Sequence, residues 1–272
     1  MLIDALVTDL DGTFWATDMT LHAASTAAVA RLDDSGIPFI VATGRRAQST
    51  LGGLRPVGLA DRPAILMNGA LVRDSLDGPS FHRRPMSTAA AQRVRSIFVA
   101  HDLEPLAYID DPNEDLLAGP SASAGESFLG AAPGVRRVDD LRSAIGTSTV
   151  IGFGAFGYPH DHLTELQAAI EAEGLASVFI SPSHYEGDYG IMVQANDADK
   201  ATGLDALCPR LGIDRDRLAV VGDGFNDVGM LSSAAIAVVP SNAPEEIRAL
   251  ADVIIEPNEH GGWSEIPDII GV

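Results

Sequence analysis

At 272 residues, with 46% hydrophobic side chains, the chain is long enough to bury a sizeable core and to divide into two domains. Its formal charge of −20 at pH 7 argues against nucleic acid and anionic membrane surfaces as partners, because both would repel it at long range. No apolar run approaches the ~18 residues that a bilayer span needs, no basic leader precedes the first strand, and a single cysteine, Cys208, excludes an internal disulfide and fits a reducing cytoplasm.

Residues 3–7, Ile-Asp-Ala-Leu-Val, have strand-forming character and run into Thr8-Asp9-Leu10-Asp11-Gly12-Thr13, where the glycine breaks the strand. Asp9 and Asp11 are two apart. On a straight strand both would face one side, whereas a bend at Gly12 lets one use its side chain and the other its backbone, an arrangement that suits a hard divalent cation. Leu21, Ala24, Ala28 and Leu32 recur at helical spacing before Gly36, which predicts a helix over 22–35. The apolar run 37–42 is of buried-strand length and ends in Thr43-Gly44-Arg45, followed by a polar segment of helical character. Strand, sharp turn and helix thus recur, which predicts a right-handed parallel crossover. A third such strand, 64–67, closes on Asn68-Gly69-Ala70.

From about residue 83 the pattern changes. Ser87 is placed to cap a helix through Ala100, and 106–109 reads as a strand, but 110–135 is too rich in Gly, Ala, Ser, Pro and acids to assign. A strand over 149–156, a helix over 161–173 stopped by Gly174, and a strand over 177–180 follow. None of these strands ends in carboxylates, so the middle reads as an inserted α+β module over 84–190, with 1–83 and 191–272 forming the rest. The first pattern then returns: a helix over 201–211 ended by Gly212, an apolar strand 218–221 running into Gly222-Asp223-Gly224-Phe225-Asn226-Asp227, a strand 235–239, and a helix begun by Pro244.

Lysine usage adds one clue. Lys200 is the only lysine among 18 basic residues, a bias expected of GC-rich coding, so this position is one where a compact ammonium resists exchange for guanidinium. Four strand or helix ends therefore carry chemistry: Asp9 with Asp11, Thr43 with Gly44, Lys200, and Asp223 with Asn226 and Asp227. In an open parallel sheet such ends converge on one crevice beyond the carboxyl ends of the strands.

With the motifs DLDGT at 9–13, VATGR at 41–45, NGA at 68–70, DKATGL at 199–204, GDGFND at 222–227 and NAPEE at 242–246, the chain resembles the haloacid dehalogenase superfamily of aspartyl phosphohydrolases. Within it the resemblance is to the Cof-type branch, which carries a large type B cap. It implies an α/β fold, with a Rossmann-like parallel-sheet core and an inserted α+β cap, and a phosphatase acting on a small phosphorylated metabolite, a sugar phosphate foremost. The alternatives are a phosphosugar mutase and a non-catalytic phosphate-binding protein.

Residue by residue, the resemblance implies that Asp9 is the nucleophile, forming an aspartyl phosphate, and that Asp11 protonates the leaving oxygen and then deprotonates water. Leu10, Thr43, Gly44, Lys200 and Asn226 would bind the phosphoryl group. Thr43 alternatively caps the helix that follows it, and Lys200 alternatively pairs with Asp197 and Asp199 as a surface cluster. Asp9, Asp11 and Asp223 would hold Mg²⁺, with Asp227 behind them orienting Lys200 or a water. Phe225 stands where relatives are often polar, Val238-Val239-Pro240 and His260-Gly261-Gly262 also depart from the family's pattern, and none of these touches the four ends. In the cap, His160, His162, His184, Tyr185 and Glu186 are turn residues expected at the surface, and Arg83 and Arg84 read as exposed linker charges.

Overall fold

A computed structural model describes residues 3–16, 18–182 and 188–272. The chain forms two compact units: Met1–Arg45, Gly53–His82 and Asp199–Val272 make the first, and Arg46–Gly52 with Arg83–Ala198 the second. In chain order the first stretch holds β1 (Ala5–Thr8), α1 (Ala23–Asp34), β2 (Phe39–Ala42), α2 (Ala47–Leu54), β3 (Ala64–Leu66), β4 (Leu71–Arg73) and β5 (Ser80–Arg83). There follow α3 (Thr88–Ala100), β6 (Leu106–Ile109), β7 (Leu116–Ala118), α4 (Glu126–Ala131), β8 (Val135–Arg137), α5 (Leu141–Thr147), β9 (Val150–Tyr158), α6 (His160–Glu171), β10 (Ser177–Pro182) and β11 (Tyr189–Gln194). The chain closes with α7 (Lys200–Leu211), β12 (Leu218–Val221), α8 (Val228–Leu231), β13 (Ile236–Pro240), α9 (Glu245–Arg248), β14 (Val253–Ile255) and α10 (Ile266–Ile270).

The first unit is built on an eight-stranded sheet in the order β14-β13-β12-β1-β2-β3-β4-β5. Strands β14 through β3 are parallel, and β4 turns back antiparallel to β3. β1, β2 and β12 are buried along their whole length, which is why each reads as an unbroken apolar run rather than an alternating one. Thr8 lies opposite Val41 on one side and Val221 on the other. That register brings the residues just beyond Thr8, Val41 and Val221 to the same edge of the sheet, where the order departs from β1 in both directions. Helix α1 begins at His22, whose side chain accepts from the Ala24 N–H, and buries Ser25, Ala28, Val29 and Leu32. Helix α7 begins at Asp199 with a reciprocal cap to Thr202 and ends at Gly212 in the left-handed region, with Leu204 and Leu207 in the core.

The second unit holds a six-stranded sheet, β10-β11-β9-β6-β7-β8, antiparallel except between β7 and β8. Its core joins Val94, Ile97 and Phe98 of α3 to Phe153 of β9 and to Leu163, Leu166 and Ile170 of α6. In this unit Arg46 pairs with Asp115, which also accepts from the Gln48 N–H at 2.8 Å. The fold is thus α/β, with a Rossmann-like parallel-sheet core and an α+β insertion. Two differences from the sequence expectation concern boundaries. Residues 46–52 group with the second unit rather than the first, and the chain returns at Asp199 rather than 191, because β11 pairs with β9 and β10 in the second sheet. Among the described residues no helix is long and apolar enough to cross a membrane.

Candidate active site

Beyond β1 the chain takes one more ladder bond, from the Asp9 N–H to the Val221 carbonyl at 2.9 Å, and then turns sharply. The Leu10 carbonyl accepts from the amides of Thr13, Phe14 and Trp15, and Leu10 is fully buried. Gly12 makes the turn with φ +78°, and a Cβ there would lie 2.3 Å from Asp223 Oδ2. The glycine therefore serves both the backbone angle and the approach of the second acidic loop.

Asp9 is buried, and its Oδ1 accepts from Lys200 Nζ at 2.5 Å. The same ammonium donates to Asp227 Oδ1 at 2.6 Å, and Lys200 is wholly inaccessible at the first residue of α7. The surface-cluster alternative for Lys200 therefore fails: Asp197 pairs with Arg84 instead, and Asp199 caps α7. Asp227 uses its other oxygen to accept from the amides of Asp223, at 3.0 Å, and Gly224, at 2.9 Å. Asp223 Oδ1 accepts from the Thr13 hydroxyl at 2.9 Å. Carboxylate oxygens of Asp9, Asp223 and Asp227 all come within 4.8 Å of one another.

Asp11 is turned to a different set. Arg45 donates to it twice, from Nε to Oδ2 and from Nη2 to Oδ1, both at 2.7 Å, and Trp15 Nε1 donates to Oδ1 at 3.0 Å. Thr43 is fully buried; its hydroxyl oxygen accepts from the Arg45 N–H at 3.1 Å, and its carbonyl from the Asn68 N–H at 3.1 Å. Gly44 is half-buried beside it, 3.0 Å from Asn68 Oδ1 when measured from the place a Cβ would occupy. Asn226 Nδ2 donates to Asn68 Oδ1 at 3.0 Å. Asn68 adopts φ +49°, a conformation asparagine tolerates better than most residues. The next residue, Gly69, runs so close to α7 that a Cβ would meet the Asp199 carbonyl oxygen at 1.9 Å.

The charges are unevenly balanced. Burial pushes Asp9 well above the usual carboxylate range, with Lys200 opposing and Asp227, Asp223 and Asp11 adding to the rise. Burial, then the Asp227 charge, pushes Asp223 up to about 6. For Lys200 burial pulls downward, but Asp227 and Asp9 outweigh it and keep the ammonium protonated. For Asp11 burial pulls upward, yet the Arg45 bonds and charge and the Trp15 bond leave it below the usual range. Four carboxylates facing one ammonium and one guanidinium, with hard oxygens converging between Asp9 and Asp223, fit a divalent cation such as Mg²⁺.

Asp9, Asp11, Thr43, Gly44, Lys200, Asp223, Asn226 and Asp227 thus lie in one unit at one sheet edge. Thr13, Trp15, Arg45 and Asn68 join them; three of these stand inside the DLDGT, VATGR and NGA motifs, where their types were visible and their partners were not. Phe225 is 66% exposed. In the second unit, His162 Nε2 lies 3.2 Å from the His101 carbonyl, His160 is exposed, and Arg83 pairs with Asp110. His184, Tyr185 and Glu186 lie outside the described residues.

A family model for haloacid dehalogenase-like hydrolases matches residues 6–266. A phosphoglycolate phosphatase of Methanopyrus kandleri is 25% identical over 92% of this chain and 90% of its own length. The pyridoxal phosphate phosphatase YbhA of Escherichia coli is 25% identical over 95% of each chain. Among solved structures, a haloacid dehalogenase-like hydrolase from Bacteroides thetaiotaomicron shares the fold with a TM-score of 0.83 at 21% identity, over 98% of this chain and 99% of that one. The chain belongs to the haloacid dehalogenase-like hydrolases, Cof type, and is a phosphoric monoester hydrolase.

Proposed function

We propose that the protein is a Mg²⁺-dependent phosphatase that hydrolyses a small phosphorylated metabolite, a sugar phosphate, through an aspartyl phosphate on Asp9. One observation carries this reading: the buried Lys200 ammonium sits between Asp9 and Asp227, beside the Asp223 carboxylate. A fixed cation next to a nucleophilic carboxylate is what an incoming phosphoryl anion needs. The two relatives named above act on different small phosphate monoesters by name, which supports the substrate class and leaves its member open to test.

In this reading Asp11, which Arg45 holds ionised in the free site, takes up a proton from solvent as the substrate binds; an Asp9 oxygen then attacks phosphorus while the bond to the ester oxygen breaks, and Asp11 gives that oxygen its proton. Asp11 then takes a proton from the water that attacks the aspartyl phosphate, releasing inorganic phosphate and restoring Asp9. Lys200, Asn226, the Thr43 hydroxyl and the N–H groups of Leu10 and Gly44 would hold the phosphoryl oxygens. Asp9, Asp223 and the backbone of Asp11 would hold Mg²⁺, which supplies charge neutralisation between the carboxylates and the anion. Asp227 has both oxygens engaged within the protein, which favours a supporting role over direct ligation. We assign recognition of the rest of the substrate to the inserted unit, and the cytoplasm as the compartment.

The test is phosphate release from a panel of phosphorylated metabolites, with and without Mg²⁺. Wild-type protein should release phosphate only with the cation. Asp9→Asn should lose turnover while keeping its melting temperature, and retained turnover in that variant would refute the covalent route.

A further inference from the structure

Helix α2 begins without a cap of its own. The Arg46 carbonyl accepts the first intrahelical bond, from the Thr50 N–H at 3.0 Å, which makes Arg46 the capping position, and a guanidinium has no acceptor to offer. The first turn holds no acid, and Gly52 and Gly53 weaken the helix further on. The missing acceptor comes from 67 residues away: Asp115 Oδ2 accepts from the Gln48 N–H at 2.8 Å, the bond that a capping acid would make. Its other oxygen, Oδ1, accepts from Arg46 Nη1, and the pair is buried, with side chains 3% and 7% exposed. Gln48 Nε2 donates to the Pro112 carbonyl at 2.6 Å, and Gly134, at φ +70°, lies so close that a Cβ would meet Gln48 Cγ at 2.7 Å and Asp115 Oδ1 at 2.9 Å. The Asp115 carbonyl accepts from the Ile109 N–H of β6 at 3.1 Å, so this carboxylate is mounted on the second sheet.

We propose that Asp115 is a positioning residue for phosphate: by bracketing the Arg46 side chain and the Gln48 amide it fixes how the chain leaves the Thr43-Gly44-Arg45 turn, and with it the direction of the Gly44 N–H. This rests on the reading of that turn as a seat for the phosphoryl group. Gly44 stands two positions before Arg46, and among the described residues its N–H donates to no protein acceptor, so nothing but the path of the chain aims it. Apolar side chains of the same volume would hold the segment at least as firmly as a buried ion pair does. They could not hold a guanidinium and a backbone amide in one register, which a carboxylate with two oxygens can. Asp115 thereby acts on phosphate through the backbone of residues 44–48, without a bond of its own to it.

The experiment measures inhibition by inorganic phosphate, which carries no leaving group, of p-nitrophenyl phosphate hydrolysis by the Mg²⁺-loaded enzyme. Arg46→Met combined with Asp115→Leu removes the bracket and both charges together, so it leaves no stranded charge and no change in net charge. The double variant should melt at or above the wild-type temperature and yet raise Ki for phosphate about tenfold, within the ~10²-fold that a misplacement of ~1 Å can cost, with KM for the ester rising alongside. A merely structural role would move the melting temperature and leave Ki of the folded enzyme as it was. Arg46→Lys keeps both charges on a shorter arm and should shift Ki the same way by less; it supplies the answer if the double variant does not fold. An unchanged Ki in the variant that folds would overturn the proposal. So would a rise in KM alone, which would assign Asp115 to recognition of the rest of the substrate. Thr43→Val separates the two readings: if it leaves Ki unchanged, the role given to the turn fails, and if it raises Ki while the Arg46 and Asp115 variants do not, the bracket alone fails.

Discussion

Lys200 reaches Asp9 through a 2.5 Å bond in which the ammonium is wholly buried and the carboxylate side chain is 8% exposed. Such a pair is weak evidence for stability but strong evidence for dependence, because removing one partner strands the other charge where it is largely desolvated. Lys200→Met should therefore cost on the order of 3–5 kcal/mol in stability and abolish turnover. Pairing it with Asp227→Asn removes one stranded carboxylate and should recover part of the melting temperature with none of the activity. Thermal melts read alongside phosphate release check both halves, and a double variant as inactive and as unstable as the single one would contradict the argument.

Gly12 and Gly36 provide a matched comparison. Both sit in the left-handed region, at φ +78° and +70°, but a Cβ at Gly36 meets nothing within 4 Å whereas one at Gly12 would meet Asp223 Oδ2 at 2.3 Å. Gly36→Ala should cost only the backbone strain, about 1–2 kcal/mol, with normal activity. Gly12→Ala should cost at least as much and also push Asp223 off its bond from Thr13, raising the Mg²⁺ concentration needed for half-maximal rate. The check is a Mg²⁺ titration of both variants, and an unchanged midpoint in Gly12→Ala would separate Asp223 from the metal.

What could be read from the chain alone follows from physical scale. β1, β2, β3 and β12 are buried on both faces, so they appear as apolar runs, and each is closed by a residue whose chemistry is visible in isolation. β4 and β5 include Arg73, Ser80, His82 and Arg83, and β14 is buried only at Ile255, so none of them is both apolar and buried along its whole length, and the sequence reading does not predict them. The stretch 110–135 resolves into β7 and α4 between loops, with β8 beginning at its end, and its small residues carry no pattern of their own. Within the site, residue types were legible and pairings were not. The Arg45 bonds to Asp11 span 34 residues and the Asn226 bond to Asn68 spans 158, distances closed by sheet register rather than by anything local. The buried position of Lys200 likewise depends on α7 lying against Gly69, which no local spacing announces.

The Asn226–Asn68 bond yields a third prediction. Asn68 Oδ1 accepts from Asn226 Nδ2, so an acceptor placed at 226 would face another acceptor. Asn226→Asp should both break that bond and set a fifth carboxylate beside the anion's seat, raising KM for phosphate esters far more than Asn226→Ala does. Steady-state kinetics on one ester distinguish them, and equal KM values in the two variants would show that charge at 226 is immaterial to binding.

The last prediction concerns pH and the cation together. Asp223 is raised from its ordinary value near 3.8 to about 6 by burial and the neighbouring Asp227 charge, and Asp9 is displaced in the same direction. For a carboxylate with a raised folded-state pKa, the folded protein holds a proton that the unfolded chain has released, so stability falls as pH rises between the two values. The Asp223 contribution in metal-free protein should thus be lost from about pH 4 through about pH 6, and Asp9 adds a loss of the same sign. Asp11, lowered from its ordinary value, has the opposite sign, but its contribution disappears only below the ordinary carboxylate range, so it does not offset the loss in this window. A divalent cation supplies above about pH 6 the positive charge that a proton supplies below it, so it binds best where the carboxylates are free. The gain in melting temperature on adding saturating Mg²⁺ should be small at about pH 5 and large at about pH 7.5, and chelation should reverse it. The same gain at both pH values would mean that Asp223 and Asp9 do not compete for proton and metal, and that the excess negative charge at this sheet edge is balanced by something other than a cation.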